Sequence, residues 1–156
     1  MAHHLAQVNI ARLLAPIESP QLAAFVAGLG PVNALADASP GFVWRLQDDS
    51  GDATAIRPYD DERVIVNLSV WESLDALRGF VLGDEHLAYL RRRRRWFSRL
   101  AQPIVALWWV RAGEIPTVAG AMHRLALLER VGPTPAAFTF RTAFPAPDDH
   151  AAAPAR

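Results

Sequence analysis

An α+β fold of the split βαβ type, an antiparallel sheet with helices packed on it, is what this chain of 156 residues predicts. Three observations predict it. Segments whose apolar residues alternate with period two are separated by segments with helical spacing, in the order strand, helix, strand, strand, helix, strand. Ser39-Pro-Gly41 and Gly113-Glu-Ile-Pro116 place turn residues between those segments. An apolar fraction of 51% against 21% charged residues suits one soluble globular domain with a sizeable core.

The first strand is expected over His4 to Leu14, with Gln7 and Asn9 on one face and Ala6, Val8 and Ile10 on the other. Pro20 opens a helical stretch in which Leu22, Phe25, Val26 and Leu29 fall at i, i+3, i+4 and i+7. Gly28, Gly30 and Pro31 are expected to end or kink it. Phe42 to Gln47 reads as the second strand, with Phe42, Trp44 and Leu46 on one side. Asp48 to Glu62, rich in Asp, Gly and Pro, is a surface loop, and Arg63 to Trp71 the third strand. Ser73 caps a short helix carrying Leu74, Leu77, Phe80 and Val81, closed by Gly83, and Asp84 caps a second one, Glu85 to Leu100. After Pro103 comes a fourth strand, Ile104 to Val110, and Thr117 caps a helix with Val118, Ala121, Leu125 and Leu128 in one stripe. Phe138 to Arg141 is a short last strand. The domain is expected to fill residues 1–144, with 145–156 a disordered tail of Pro, Ala and Asp. Apolar residues occupy both faces of the strands, so the face away from the helices is expected to meet a second subunit.

All sixteen basic residues are arginine and sixteen acidic residues balance them, so no global field draws the chain to nucleic acid or an anionic membrane. The arginine run would also need outward stacking aromatics to hold single strands, and its neighbours face inward. Cysteine is absent, which removes disulfides, thiolate metal sites and cysteine nucleophiles and fits the cytoplasm. No run approaches the roughly 18 apolar residues of a membrane span. Phosphate loops, H-E-x-x-H and G-x-S-x-G are missing, and the histidines lack metal-ligand spacing.

The third strand and the helix behind it hold the candidate site. Residues two and four apart on a strand share a face, so Asn67, Ser69 and Trp71 look one way. Across from them, with His86 at zero and about 100° per residue, Leu90, Phe97 and Leu100 fall within about 40°, Tyr89 about 60° away and Arg93 about 20° away. One imidazole and one guanidinium of the run Arg91 to Arg95 thus lie on the apolar face. The competing reading pairs Arg93 with an internal carboxylate, makes His86 a satisfied helix-start residue, and leaves Asn67 and Trp71 to backbone pairing and core packing. Taken together, a polar cluster inside an apolar shell is how small-molecule sites are built. Trp44, Asn9, Gln7 and Arg45 are further strand residues able to join it, and at most one of Trp108 and Trp109 can line a given pocket.

The pattern Asn67-x-x-x-Trp71-Glu-Ser-Leu-x-x-Leu-x-x-Phe80, followed by His86, resembles the dimeric α+β barrel superfamily, ferredoxin-like in fold, that includes the antibiotic-biosynthesis monooxygenases. More narrowly, Ser39-Pro-Gly-Phe-Val-Trp-Arg45, Trp96-Phe97, Leu107-Trp-Trp109, Pro116-Thr117 and Gly132-Pro-Thr-x-x-Ala-Phe-Thr-Phe140 are similar to a bacterial family of unknown role in that superfamily. The resemblance implies a homodimer. It also implies oxidation of quinol or anthrone-type substrates by oxygen without metal or flavin, with the roles of the family's Asn, Trp and Arg falling to Asn67, Trp71 and Arg93. On that expectation Asn67 binds a phenolic or keto oxygen and Arg93 stabilises the substrate anion. His86 is the base, and Trp44, Asn9, Ser69, Tyr89 and Phe97 surround the substrate. The rivals are a non-catalytic metabolite-binding module, and haem held by His86 or His123.

Overall fold

A computed structural model of the chain describes residues 2–147, so the expected tail lies outside the described residues from 148 onward. Strand β1 (His3–Leu13) is central. It pairs antiparallel with β3 (Val64–Trp71) on one side and with β5 (Val105–Arg111) on the other, while β2 (Phe42–Arg45) lies outside β3. The two-residue β4 (Phe97–Ser98) pairs with the far end of β1 beyond β5. The order β2-β3-β1-β5 is the split βαβ arrangement that the sequence predicts.

Period-two alternation assigns the two faces. Ala6, Val8 and Ile10 stand beside Val64, Val66, Leu68 and Val70 and beside Ala106, Trp108 and Val110. Helix α4 (Val118–Val131), capped by the Thr117 hydroxyl that accepts from the Gly120 amide, lays Ala121, Leu125 and Leu128 on them. Trp44, Leu46 and Ile56 complete that cover. The expectation that a second subunit meets this face is therefore corrected: the chain closes it with its own last helix and with the loop after β2, leaving every one of these strand residues buried.

The opposite face carries α1 (Ala23–Asp37), entered through a 3-10 turn at Pro20–Leu22, α2 (Leu74–Val81) and α3 (Asp84–Trp96). Its apolar residues sit at two ends. Leu5, Trp71 and Leu107 pack with Ala36, Leu77 and Phe138 at one end, and Leu13 with Leu22, Phe25 and Trp96 at the other. Between them the sheet presents Gln7 and Asn9 on β1 opposite Ser69 and Asn67 on β3. Apolar burial draws the helices down at both ends, whereas a row of carboxamides and a hydroxyl in the middle rewards no close apolar packing.

Three elements differ from the sequence reading. Helix α1 runs on through Pro31 to Asp37 as one helix, where the sequence reading has it end or kink before a further turn or two over Val32 to Ala36. The lost amide costs one intrahelical bond, and residues on both sides of the proline, Phe25, Leu29 and Ala36, are held by tertiary packing. Helix α3 stops at Trp96, because Phe97 and Ser98 pair with Leu13 and Arg12. The last strand shrinks to one bridge, in which Leu107 and Phe138 exchange both backbone bonds at 2.8 Å.

Candidate functional site

The separation of helices from sheet over that polar row leaves a cavity of about 390 Å³. Its floor is a hydrogen-bonded chain. The indole Nε1 of Trp71 donates to Ser69 Oγ at 2.9 Å, and the Gln7 amide nitrogen donates to the same oxygen at 2.9 Å and to Asn67 Oδ1 at 2.6 Å. An indole N–H can only donate, so it anchors one end of the chain. Trp71 is 1% exposed, whereas Asn67 at the other end is exposed and lines the cavity. Asn9 lies directly across from Asn67 and lines the same space.

The walls are aromatic and aliphatic. Phe25, Leu29 and Val32 come from α1, Leu77 and Phe80 from α2, Tyr89 and Leu90 from α3, then Phe97 and Phe140. Phe42 stands edge-on to Trp71 at 5.4 Å, and Phe80 stacks on Trp71 at 5.3 Å. These contacts fix the indole plane that closes one end of the floor.

His86 faces the floor from the first turns of α3, with its ring 5.1 Å from that of Phe80. Its Nδ1 lies 3.1 Å from the Val81 carbonyl. A carbonyl only accepts, so Nδ1 carries the proton and the neutral ring keeps its lone pair on Nε2. Burial pushes the imidazole pKa below its ordinary value, against the smaller upward pull of the Val81 carbonyl. The group is therefore a neutral base at neutral pH.

Two expected site residues are placed differently. Trp44 lies on the other side of the sheet among Val70 and its neighbours, because the pairing register slips between Phe42 and Trp44 and an extra residue, Val43, reverses the alternation. Arg93 lines the cavity mouth but is exposed, not buried. Its long stem lets the guanidinium leave the apolar face for water, donating only to the Leu90 carbonyl at 3.4 Å. Asn67, Ser69, Trp71, His86, Tyr89, Phe97 and Asn9 all line the cavity. Neither Trp108 nor Trp109 does: Trp108 is core beneath Arg124, and Trp109 donates its Nε1–H to the Phe144 carbonyl at 2.8 Å.

The slip at Val43 has a second result. Arg45 comes opposite Ser69 on the cavity side, where its Nε donates to Asp37 at the end of α1 at 2.8 Å and its Nη1 to the Gly51 carbonyl at 2.6 Å. This clamp holds the loop after β2 so that Asp52 and Thr54 form one lip of the mouth, with Arg93 on the cavity's rim as well. Gln7 was only one option among several in the sequence; its place in the register opposite Ser69 makes it the link between the two strands.

The haem expectation divides. His123 is exposed on α4, on the far side of the sheet, and does not reach the cavity. His86 has Nε2 free, but the floor it faces is made of neutral amides and a hydroxyl, and among the described residues that line the cavity Arg93 is the one arginine without a carboxylate partner, a poor match for two propionates. Among the described residues no group of three or more His, Asp or Glu side chains is arranged to hold a metal ion, and no helix is long and apolar enough to cross a membrane.

The family model described as "Domain of unknown function (DUF3291)" matches residues 4–154, and the chain belongs to that family. No curated protein matches it. Solved structures of similar shape include PA3566 from Pseudomonas aeruginosa, 16% identical over 73% of this chain and 98% of that one, with a TM-score of 0.48. SnoaB, a cofactor-independent oxygenase from Streptomyces nogalater, is 20% identical over 73% of this chain and 97% of that one, with a TM-score of 0.45. The ActVA-Orf6 monooxygenase of Streptomyces coelicolor, in complex with nanaomycin D, is 21% identical over 74% and 94%, with a TM-score of 0.45. With TM-scores below 0.5, the activities named for these proteins are theirs alone.

Proposed function

We propose that this member of a family of unknown function binds a small aromatic or quinol-type molecule in the cavity and oxidises it with molecular oxygen, without metal or organic cofactor, in the cytoplasm. The observation that carries the reading is the chain Trp71, Ser69, Gln7 and Asn67 on the floor of an aromatic cavity, facing a histidine whose free nitrogen is a lone pair. The Asn67 NH2 binds a keto or phenolic oxygen. His86 Nε2 takes the proton from the adjacent acidic C–H or O–H, and the aromatic walls hold the ring in the plane of attack.

The chemistry balances on the substrate alone. For an anthrone-type CH2 group, His86 accepts one proton, the carbanion gives an electron to O2, and recombination forms a C–O bond to a hydroperoxide. Return of the proton and loss of water leave the ketone, so one O2 is consumed and one water released per turnover.

Oxygen uptake with dithranol tests this. Asn67→Ala together with Trp71→Phe is expected to lower the rate by at least about 100-fold, the order of loss when oriented hydrogen-bond donors are removed. Turnover equal to the parent protein's would remove the mechanism.

One observation favours a second reading, a binding module without turnover. The Arg45 guanidinium is paired with Asp37 and Arg93 is exposed, so among the described residues that line the cavity no buried, unpaired arginine faces a substrate anion. That reading expects dithranol to bind, seen as tryptophan quenching, with no oxygen consumed. A Soret band on haem titration would displace both.

A further inference from the structure

Gly28 stands in the interior of α1, where glycine is locally disfavoured against alanine. The helical glycines Gly30 and Gly79 have nothing within 4 Å of the place a Cβ would take, so space does not explain them. Gly28 is different. A Cβ there would lie 0.7 Å from the Tyr89 hydroxyl oxygen, 2.0 Å from Cζ and 2.9 Å from Cε2. The phenol of α3 therefore occupies the volume that any side chain at position 28 would fill.

Both residues line the cavity. On its other sides the Tyr89 ring is backed by Trp96, with centroids 5.3 Å apart, and by the edge of Phe25 at 6.5 Å. Trp96 and Phe25 are themselves buried against Leu13 and Leu22. The fit of the phenol into the space left at position 28 places it in the notch.

We infer that Gly28 and Tyr89 together set the size of molecule the cavity admits: the missing side chain at position 28 lets the phenol lie in the wall between α1 and α3 instead of across the cavity. The inference rests on reading the cavity as a small-molecule site. A methyl group at position 28 displaces the end of the ring; Trp96 and Phe25 stand on two of its sides, and the cavity that the ring lines receives it on another. The larger a fused-ring ligand is, the more it needs the volume that a displaced phenol would take.

Two measurements test it. In binding titrations read by tryptophan quenching, the parent protein is expected to bind both juglone, with two fused rings, and alizarin, with three. Gly28→Ala is expected to keep its affinity for juglone and to lose at least about tenfold for alizarin, the scale of a steric clash in a packed site. The double variant Gly28→Ala with Tyr89→Leu is expected to regain alizarin. Equal alizarin affinity in Gly28→Ala and parent, or no recovery in the double variant, overturns the inference.

The second measurement needs no ligand. Gly28→Ala is expected to lower the urea midpoint in the parent background and to raise it in the Tyr89→Leu background, where the better helix former meets open space. The same sign in both backgrounds overturns the notch. If neither dye binds the parent protein, the small-molecule reading and the size rule built on it fall together, while a sign reversal in this cycle still establishes the contact. Should Gly28→Ala alone fail to fold while the double variant folds, the clash is confirmed.

Discussion

His86 keeps its proton on Nδ1 for the Val81 carbonyl and its pKa below the ordinary range through burial, and this ties stability to pH. Below about pH 6.5 the unfolded chain takes a proton on this residue that the folded chain refuses. Stability is thus full above that pH and falls as pH drops through it. Urea melts at neutral and mildly acidic pH are expected to show the parent protein losing more stability on acidification than His86→Gln, and equal losses would count against a desolvated imidazole. Ser69, 5% exposed, accepts from both Trp71 and Gln7. Ser69→Ala should cost about 1–3 kcal/mol in the same melts, since it strands a buried indole N–H. Most single residues of the site were legible in the sequence, because Asn67, Ser69 and Trp71 share a strand face by alternation alone. Arg93 was not: helical phase locates a Cα–Cβ bond, and a side chain as long as arginine can still carry its charge to water.

At the scale of elements, alternation fails wherever a strand gains a residue. The slip at Val43 sends Trp44 to one core and brings Arg45 to the cavity, and nothing in Phe42-Val-Trp-Arg-Leu-Gln47 announces it. The same limit applies to α1, where Gly28, Gly30 and Pro31 speak locally against a helix and packing at both ends overrides them. The β2 slip is consequential because Arg45 joins three elements through Asp37 and Gly51. Its guanidinium side is 12% exposed but Asp37 is 45% exposed, so solvent discounts the ion pair. Arg45→Met is expected to cost only about 1 kcal/mol in global stability while the amides of residues 48–54 lose hydrogen-exchange protection. Unchanged exchange there would show that the loop holds itself.

For the whole molecule, the decisive fact is that one chain covers both sides of its sheet. The order of strands was readable from the spacing of apolar residues, but which partner would cover the second face was not, since an amphipathic helix and a second subunit place the same demand on a strand. With α4 in that position, this face of the sheet is covered within one chain. The melting temperature is expected to stay constant over a hundredfold dilution, whereas a fall would reveal that a dimer interface elsewhere contributes to folding. Leu125→Ala, in the stripe of α4 over the sheet, should cost about 2–5 kcal/mol by calorimetry or urea melts.

The segment after β2 touches both layers that the sheet keeps apart. Asp52 and Thr54 stand at the cavity mouth, Ile56 is packed into the core beneath α4, and Tyr59 lies close enough to Glu129 of α4 for that carboxylate, after burial, to raise its phenol pKa. It works as a belt over the edge of the sheet, fastened at Arg45 and buckled on α4. Through this belt the rim of the cavity and the helix on the far face are joined by one short stretch of chain.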